Sequence, residues 1–168
     1  DKTVIMLWVG LHIEKIVTYL KSDIPLIVET VKEIQQQHQV KLTNIIIDED
    51  GVGGGAKDYL RCKGFVNNSR PINAENYQNL KTQCYYKLAD LINKGQIGIT
   101  TNDINSKKLI IEELEQVRTK DADKDNKLQI LPKEDIKLNI GRSPDYADAI
   151  MMRMYYNLQP NFGKYFVQ

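Results

Sequence analysis

Residues 44–56 read NIIIDEDGVGGGA, and the interpretation of that stretch decides the fold. An apolar run, Ile45 to Ile47, meets three consecutive acids, Asp48, Glu49 and Asp50, followed by four glycines within five residues. The run is short enough to be a buried strand, and its glycine-rich exit suits either a phosphate cradle or a platform that presents carboxylates to a metal. Gly51 to Ala56 matches the dinucleotide pattern G-x-G-x-x-A. A pyrophosphate site, however, puts its first glycine directly after the strand, whereas three acids intervene here and would repel the anion. The acid expected about 20 residues further on is replaced by Asn67, Asn68 and Arg70. A P-loop fails as well, because Asp58 follows Lys57 where serine or threonine would bind magnesium.

Working outward from this strand, hydrophobic periodicity predicts a hairpin at the start, Thr3 to Val9 and Leu11 to Tyr19 around Gly10. Ser22-Asp23-Ile24-Pro25 offers a cap for a helix running to about Gln37. A brief helix is expected from Ala56 to Cys62, and a strand at Gly64-Phe65-Val66. Asn73 to Asn93 predicts a long helix closed by Gly95, with Leu80, Cys84, Leu88 and Leu91 on its apolar face. A helix capped by Ser106 runs to Arg118, Leu128 to Leu131 reads as a strand, and Ser143-Pro144-Asp145 opens a final helix to about Asn157. A strand pair followed by alternating helices and strands implies an α/β fold, a mixed sheet flanked by helices.

The chain has 168 residues, 42% of them hydrophobic, enough for a single domain with a substantial core. Lysine and arginine total 23 against 22 acids, a net charge of +1, so any surface for DNA is a local patch. Cys62 and Cys84 lack the spacing of a zinc site or a disulfide scaffold, and a reducing interior is expected. The apolar runs fall far short of the ~20 residues needed to span a bilayer, so no membrane association is expected. Asp121 to Asn126 imitates the first half of a calcium loop, but the position for its bidentate glutamate falls on Pro132. His12 and His38 have no nucleophile beside them, and Tyr77, Tyr85 and Tyr86 read as packing residues.

Acids at the ends of elements remain. Asp48 is the first polar residue after Ile45 to Ile47, at a strand exit where α/β proteins place ligands. In SPDYADA, Asp145 and Asp148 lie about one turn apart on one face of the last helix. Asp145 also suits the helix N-terminus as a cap or dipole partner. Asp148 is flanked by Ala147, Ala149, Ile150 and Met151, and an acid among them needs a partner, which a divalent ion shared with Asp48 would supply.

Three segments together, IIIDEDGVGGGAKDYL, LKTQCYYKLADLINKGQI and KEDIKLNIGRSPDYADAIMM, resemble the C-terminal nuclease domain of phage terminase large subunits, and the similarity extends through about Asn157. The resemblance implies a ribonuclease H-like fold and a two-metal DNA endonuclease, using magnesium or manganese, that cuts concatemeric double-stranded viral DNA during packaging in the cytoplasm of the bacterial host. It also implies double-stranded DNA, a portal, a small terminase subunit and an N-terminal packaging ATPase as partners. The family's carboxylate trio maps its second member to Asp48 and its third to Asp148, with Asp145 as an accessory ligand. Its first acid is expected on a strand just ahead of Asp1-Lys2-Thr3, so the fold is expected to lack its first strand and the chain to be an impaired fragment. Lys57, Arg61, Lys133, Lys137 and Arg142 are candidate phosphate contacts. A DNA- or portal-docking module without catalysis is the rival reading, and a nucleotide-binding oxidoreductase a more distant one.

Overall fold

A continuous apolar run, a glycine at φ +59° and a loosely alternating second strand fold the first twenty residues into a hairpin, β1 (Thr3–Val9) against β2 (His12–Tyr19), in register from Thr3–Tyr19 to Val9–His12 with an irregularity between Leu7 and Trp8. The computed structural model describes residues 1–50, 53–120 and 126–159. Helix α1 (Ile24–His38) follows, its first turn capped by Asp23, which accepts from the Leu26 N–H at 3.0 Å. Strand β3 (Ile46–Asp48), helix α2 (Gly53–Leu60) and strand β4 (Lys63–Phe65) form a parallel unit in which Asp48 pairs with Phe65. Then come α3 (Leu80–Asn93), β5 (Gly98–Ile99), α4 (Ile104–Gln116) and an antiparallel pair, β6 (Thr119–Lys120) and β7 (Gln129–Ile130). The described chain closes with α5 (Lys133–Ile140), α6 (Asp145–Arg153) and α7 (Tyr155–Leu158).

Strand pairing divides the middle of the molecule into two sheets, β1-β2-β5 and β3-β4. Both are sandwiched by the same two hydrophobic clusters. Val4, Met6 and Ile46 face the larger one, built on Ile13, Phe65, Leu88, Ile110, Ile150 and Met151, whereas Ile5, Ile45 and Ile47 face the smaller one of Ile27, Val31, Ala56 and Leu60. The two sheets are therefore halves of one layer between two helical layers. Helix α6 packs on β1 and β3 alike and spans the division.

The expected elements are present, with shifted boundaries. Helix α3 begins at Leu80 and not at Asn73, because Asn79 caps it by accepting from the Thr82 N–H at 2.9 Å and Asn73 and Ala74 have positive φ. Asp103, not Ser106, caps α4. Helix α2 starts at Gly53, three residues earlier than expected, so its glycines are helical; a Cβ on Gly53 would lie 2.0 Å from the Asp48 carbonyl oxygen, which is how closely the helix start approaches β3. The final helix is divided into α6 and α7 at Met154. Gly51, Val52 and Asp121 to Asp125, with the apparent calcium loop, lie outside the described residues. Cys62 and Cys84 are free thiols, and no described helix is long and apolar enough to cross a membrane.

Candidate active site

Asp48 ends β3, where the chain leaves the sheet and its carboxylate meets few donors. Oδ1 accepts from the Asp50 N–H at 3.0 Å and from Asn67 Nδ2 at 3.1 Å. Asn67 also donates to Asp50 Oδ2, from its side chain at 2.8 Å and its backbone at 3.0 Å, so one amide holds two neighbouring acids. Glu49 is engaged elsewhere, by Lys57 at 2.8 Å. Burial pushes the Asp48 carboxyl above its usual range, and the charges of Asp50 and Asp148 push the same way, against the bonds from the Asp50 N–H and Asn67. Asp50 and Asn67, the partners of Asp48, line one groove with Lys81 and Lys133, the partners of Asp148.

Asp148 lies in the first turns of α6 and is surrounded by donors. Tyr85 donates its hydroxyl to Oδ1 at 2.7 Å, Lys81 Nζ lies 2.8 Å from the same oxygen, and Lys133 Nζ lies 3.3 Å from Oδ2. Burial alone would raise this carboxyl, but Lys81, Lys133 and Tyr85 outweigh it and hold Asp148 below its usual range. Burial and the adjacent Asp148 keep the Tyr85 hydroxyl protonated, as a donor. Asp145 accepts from the Lys2 N–H at 2.7 Å and lies 3.9 Å from Lys133.

Of the five cations singled out in the sequence, only Lys133 reaches these carboxylates. Lys57 is tied to Glu49 and lies 3.2 Å from Asp58. Arg61 is exposed in the turn after α2, and Lys137 lies 3.5 Å from Asp1. The Arg142 guanidinium is held by Glu112 at 2.7 Å and by Glu113. Tyr85, expected to be a packing residue, and Lys81, one turn earlier on α3, both meet Asp148, which the apolar stripe of that helix does not signal.

A groove of about 410 Å³ opens beside the site, lined by Asp50, Asn67, Asn79, Lys81, Lys120 and Lys133 among others. Its wall carries side-chain amides and ammonium groups. The hard carboxylate oxygens of Asp48 and Asp148 suit magnesium or manganese, which keep several waters and need only one or two protein carboxylates. Among the described residues no three carboxylate, imidazole or thiol groups form a ready-made cage.

No protein-family model and no curated protein matches the chain. Solved structures do. The chain is 22% identical to a lysine-to-alanine variant of the nuclease domain of the large terminase subunit gp2 of bacterial virus Sf6 with manganese, at a TM-score of 0.69 over 86% of this chain and 79% of that one. The unsubstituted nuclease domain of the same virus matches at 22% identity and a TM-score of 0.68, over 86% and 78%. A form of that domain with calcium gives the same identity, coverage and score. The chain thus has the fold of a terminase nuclease domain, the α/β fold of the ribonuclease H type that the sequence led one to expect.

Proposed function

We propose that this chain is a metal-dependent endonuclease domain that cuts concatemeric double-stranded viral DNA during genome packaging in the cytoplasm of a bacterial host. The reading is supported by one groove, on the fold of a terminase nuclease domain, lined by partners of Asp48, ending β3, and of Asp148, in α6. Asp48 and Asp148 would hold magnesium or manganese, with Asp145 in support. When bound, a pair of such ions supplies an activated water and stabilises the leaving 3′ oxygen of a phosphodiester. Lys133, more open than Lys81, is placed to meet a substrate phosphate, while Lys81 and Tyr85 orient Asp148. The amide- and lysine-lined groove gives a DNA strand a path to the carboxylates.

Within this reading the whole chain is a single nuclease domain. Its partners are duplex DNA, a packaging ATPase domain, the portal and the small terminase subunit. The resemblance puts a third acid on a further strand, between β1 and β3. The division of the middle layer supports that placement, since a strand between β1 and β3 would join the two sheets.

Plasmid nicking with manganese tests the proposal. Nicking is expected, reduced at least about 100-fold by Asp48→Asn or Asp148→Asn, with the double variant no slower than the worse single one. Nicking by the folded chain that both substitutions leave intact would overturn it, and manganese-independent DNA binding without cleavage would favour the docking module.

A further inference from the structure

Helix α6 carries Asp145 and Asp148, yet its own sequence supplies no cap: Pro144 occupies the N-cap position and makes no side-chain bond to the first turn. The acceptor comes from another helix. Glu113, on α4, is fully buried, and its Oε2 accepts from the Ala147 N–H at 2.8 Å. Ser106, Ile110 and Glu113 are the buried residues of α4, so the acid stands in the stripe that otherwise packs the helix. Its other oxygen takes the Arg142 guanidinium, which comes from the turn between α5 and α6 and also binds Glu112 at 2.7 Å. One carboxylate therefore joins α4 to both sides of the α6 start. Ala147 immediately precedes Asp148, so fixing its N–H fixes where the Asp148 carboxylate leaves the helix.

We infer that Glu113 is a positioning residue, a cap supplied from α4 that sets the first turn of α6 and thereby the metal-binding geometry of Asp148. The inference rests on the endonuclease reading for its metal, but the bond itself can be tested without one. A negative group at a helix N-terminus is also favoured by the helix dipole, so reach and charge both contribute here and have to be separated. Glutamine keeps the reach and loses the charge; with its one oxygen toward the Ala147 N–H it leaves the Arg142 guanidinium to Glu112. Aspartate keeps the charge and draws the oxygens back by about 1.5 Å, beyond hydrogen-bonding distance of Ala147.

Manganese affinity of the parent, Glu113→Gln and Glu113→Asp, measured by water-proton relaxation, separates the two contributions. Glu113→Gln is expected within about threefold of the parent and Glu113→Asp about tenfold weaker, the scale on which groups that orient a metal ligand act. Equal affinity in all three, or a stronger Asp than Gln variant, overturns the inference. Amide exchange in the metal-free parent is the second arm. The Ala147 amide should exchange as slowly as amides in the middle of α6; fast exchange there overturns the inference whatever the variants do. Slow exchange in a parent that binds no manganese would sink the endonuclease reading and leave Glu113 as a cap without a metal to serve.

Discussion

Partners of Asp48 and of Asp148 line one groove, but the regions that present the two acids are opposite in electrostatic character. The strand region gathers Asp48, Glu49 and Asp50, with Asn67 as the shared donor and Lys57 turned to Glu49. The helix region surrounds Asp148 with two ammonium groups and a hydroxyl. One carboxyl is consequently held above its usual range and the other below it. A protein stabilised only by its own contacts gains from Asp148 and loses from Asp48. Under the proposed function a cation would join them, and among the described residues no lysine or arginine pairs with the strand acid.

The largest effects should come from removing each charge without changing shape. Asp148→Asn is expected to destabilise the metal-free protein by about 2 kcal/mol at pH 7, since it leaves Lys81 and Lys133 facing a neutral amide. Asp48→Asn should stabilise it by about 0.5 kcal/mol, the scale of one partly exposed like-charge contact relieved. Manganese should reverse the order of the parent and Asp48→Asn. At a hundredfold excess over its dissociation constant the ion adds about 2.7 kcal/mol to a protein that binds it, and the Asn variant should gain much less. Thermal melts of the three proteins with and without manganese decide the matter, and equal gains for parent and variant would break the comparison.

Acid should weaken the contrast. Asp148 is held below the usual aspartate value of 3.8, so its stabilisation is complete above that pH and is lost as the pH falls through the lower folded value. The penalty of Asp148→Asn should shrink over that range. Asp48 lies above 3.8, so its cost appears only as the pH rises from 3.8 through its folded value, and the benefit of Asp48→Asn should vanish at lower pH. Urea titrations from pH 2 to 7 would show both trends; a penalty for Asp148→Asn that persists at pH 2 would mean that packing, not charge, holds that side chain.

The two acids were legible in the sequence for different reasons. Asp48 follows three isoleucines, and the end of a buried strand is a place that local pattern can find. Asp148 interrupts a small, apolar run inside a helix, where an acid calls for a partner. Their neighbours were not legible, because what turns Lys81 and Tyr85 inward is the docking of α6, more than sixty residues away in the chain for Tyr85. Lys81 next to Leu80 reads as an ordinary solvated lysine. Glu113 similarly looks like a break in the apolar face of α4 until Ala147 and Arg142 are placed against it. The two-residue strand β5 is too short to show a period, and the eight-residue helix α5, which carries Lys133 to the site, has only Ile136 buried to mark its inner face. Strand pairing is not local either, so the division between β1 and β3 appears only in the structure.

The smallest expected effect distinguishes the two lysines of the helix region. The Lys81 side chain is 18% exposed, lies 2.8 Å from Asp148 and stands over the Tyr85 ring at 5.9 Å. Lys133 is 37% exposed and 3.3 Å away. Lys81→Met is therefore expected to cost about 1–2 kcal/mol of stability, as for a charged hydrogen bond removed from a mostly buried acid. Lys133→Met should cost under about 1 kcal/mol, because its pair is more open to water and its remaining partner, Lys81, still neutralises Asp148. DNA binding should rank them the other way. A lysine that meets a phosphate contributes about one unit to the slope of log affinity against log salt, so Lys133→Met should lower that slope by about one and Lys81→Met by less. Filter binding across a salt series, alongside melts of the same proteins, measures both. If Lys81→Met lowered the slope more and the stability less, Lys81 would be the phosphate contact and Lys133 the group that holds Asp148.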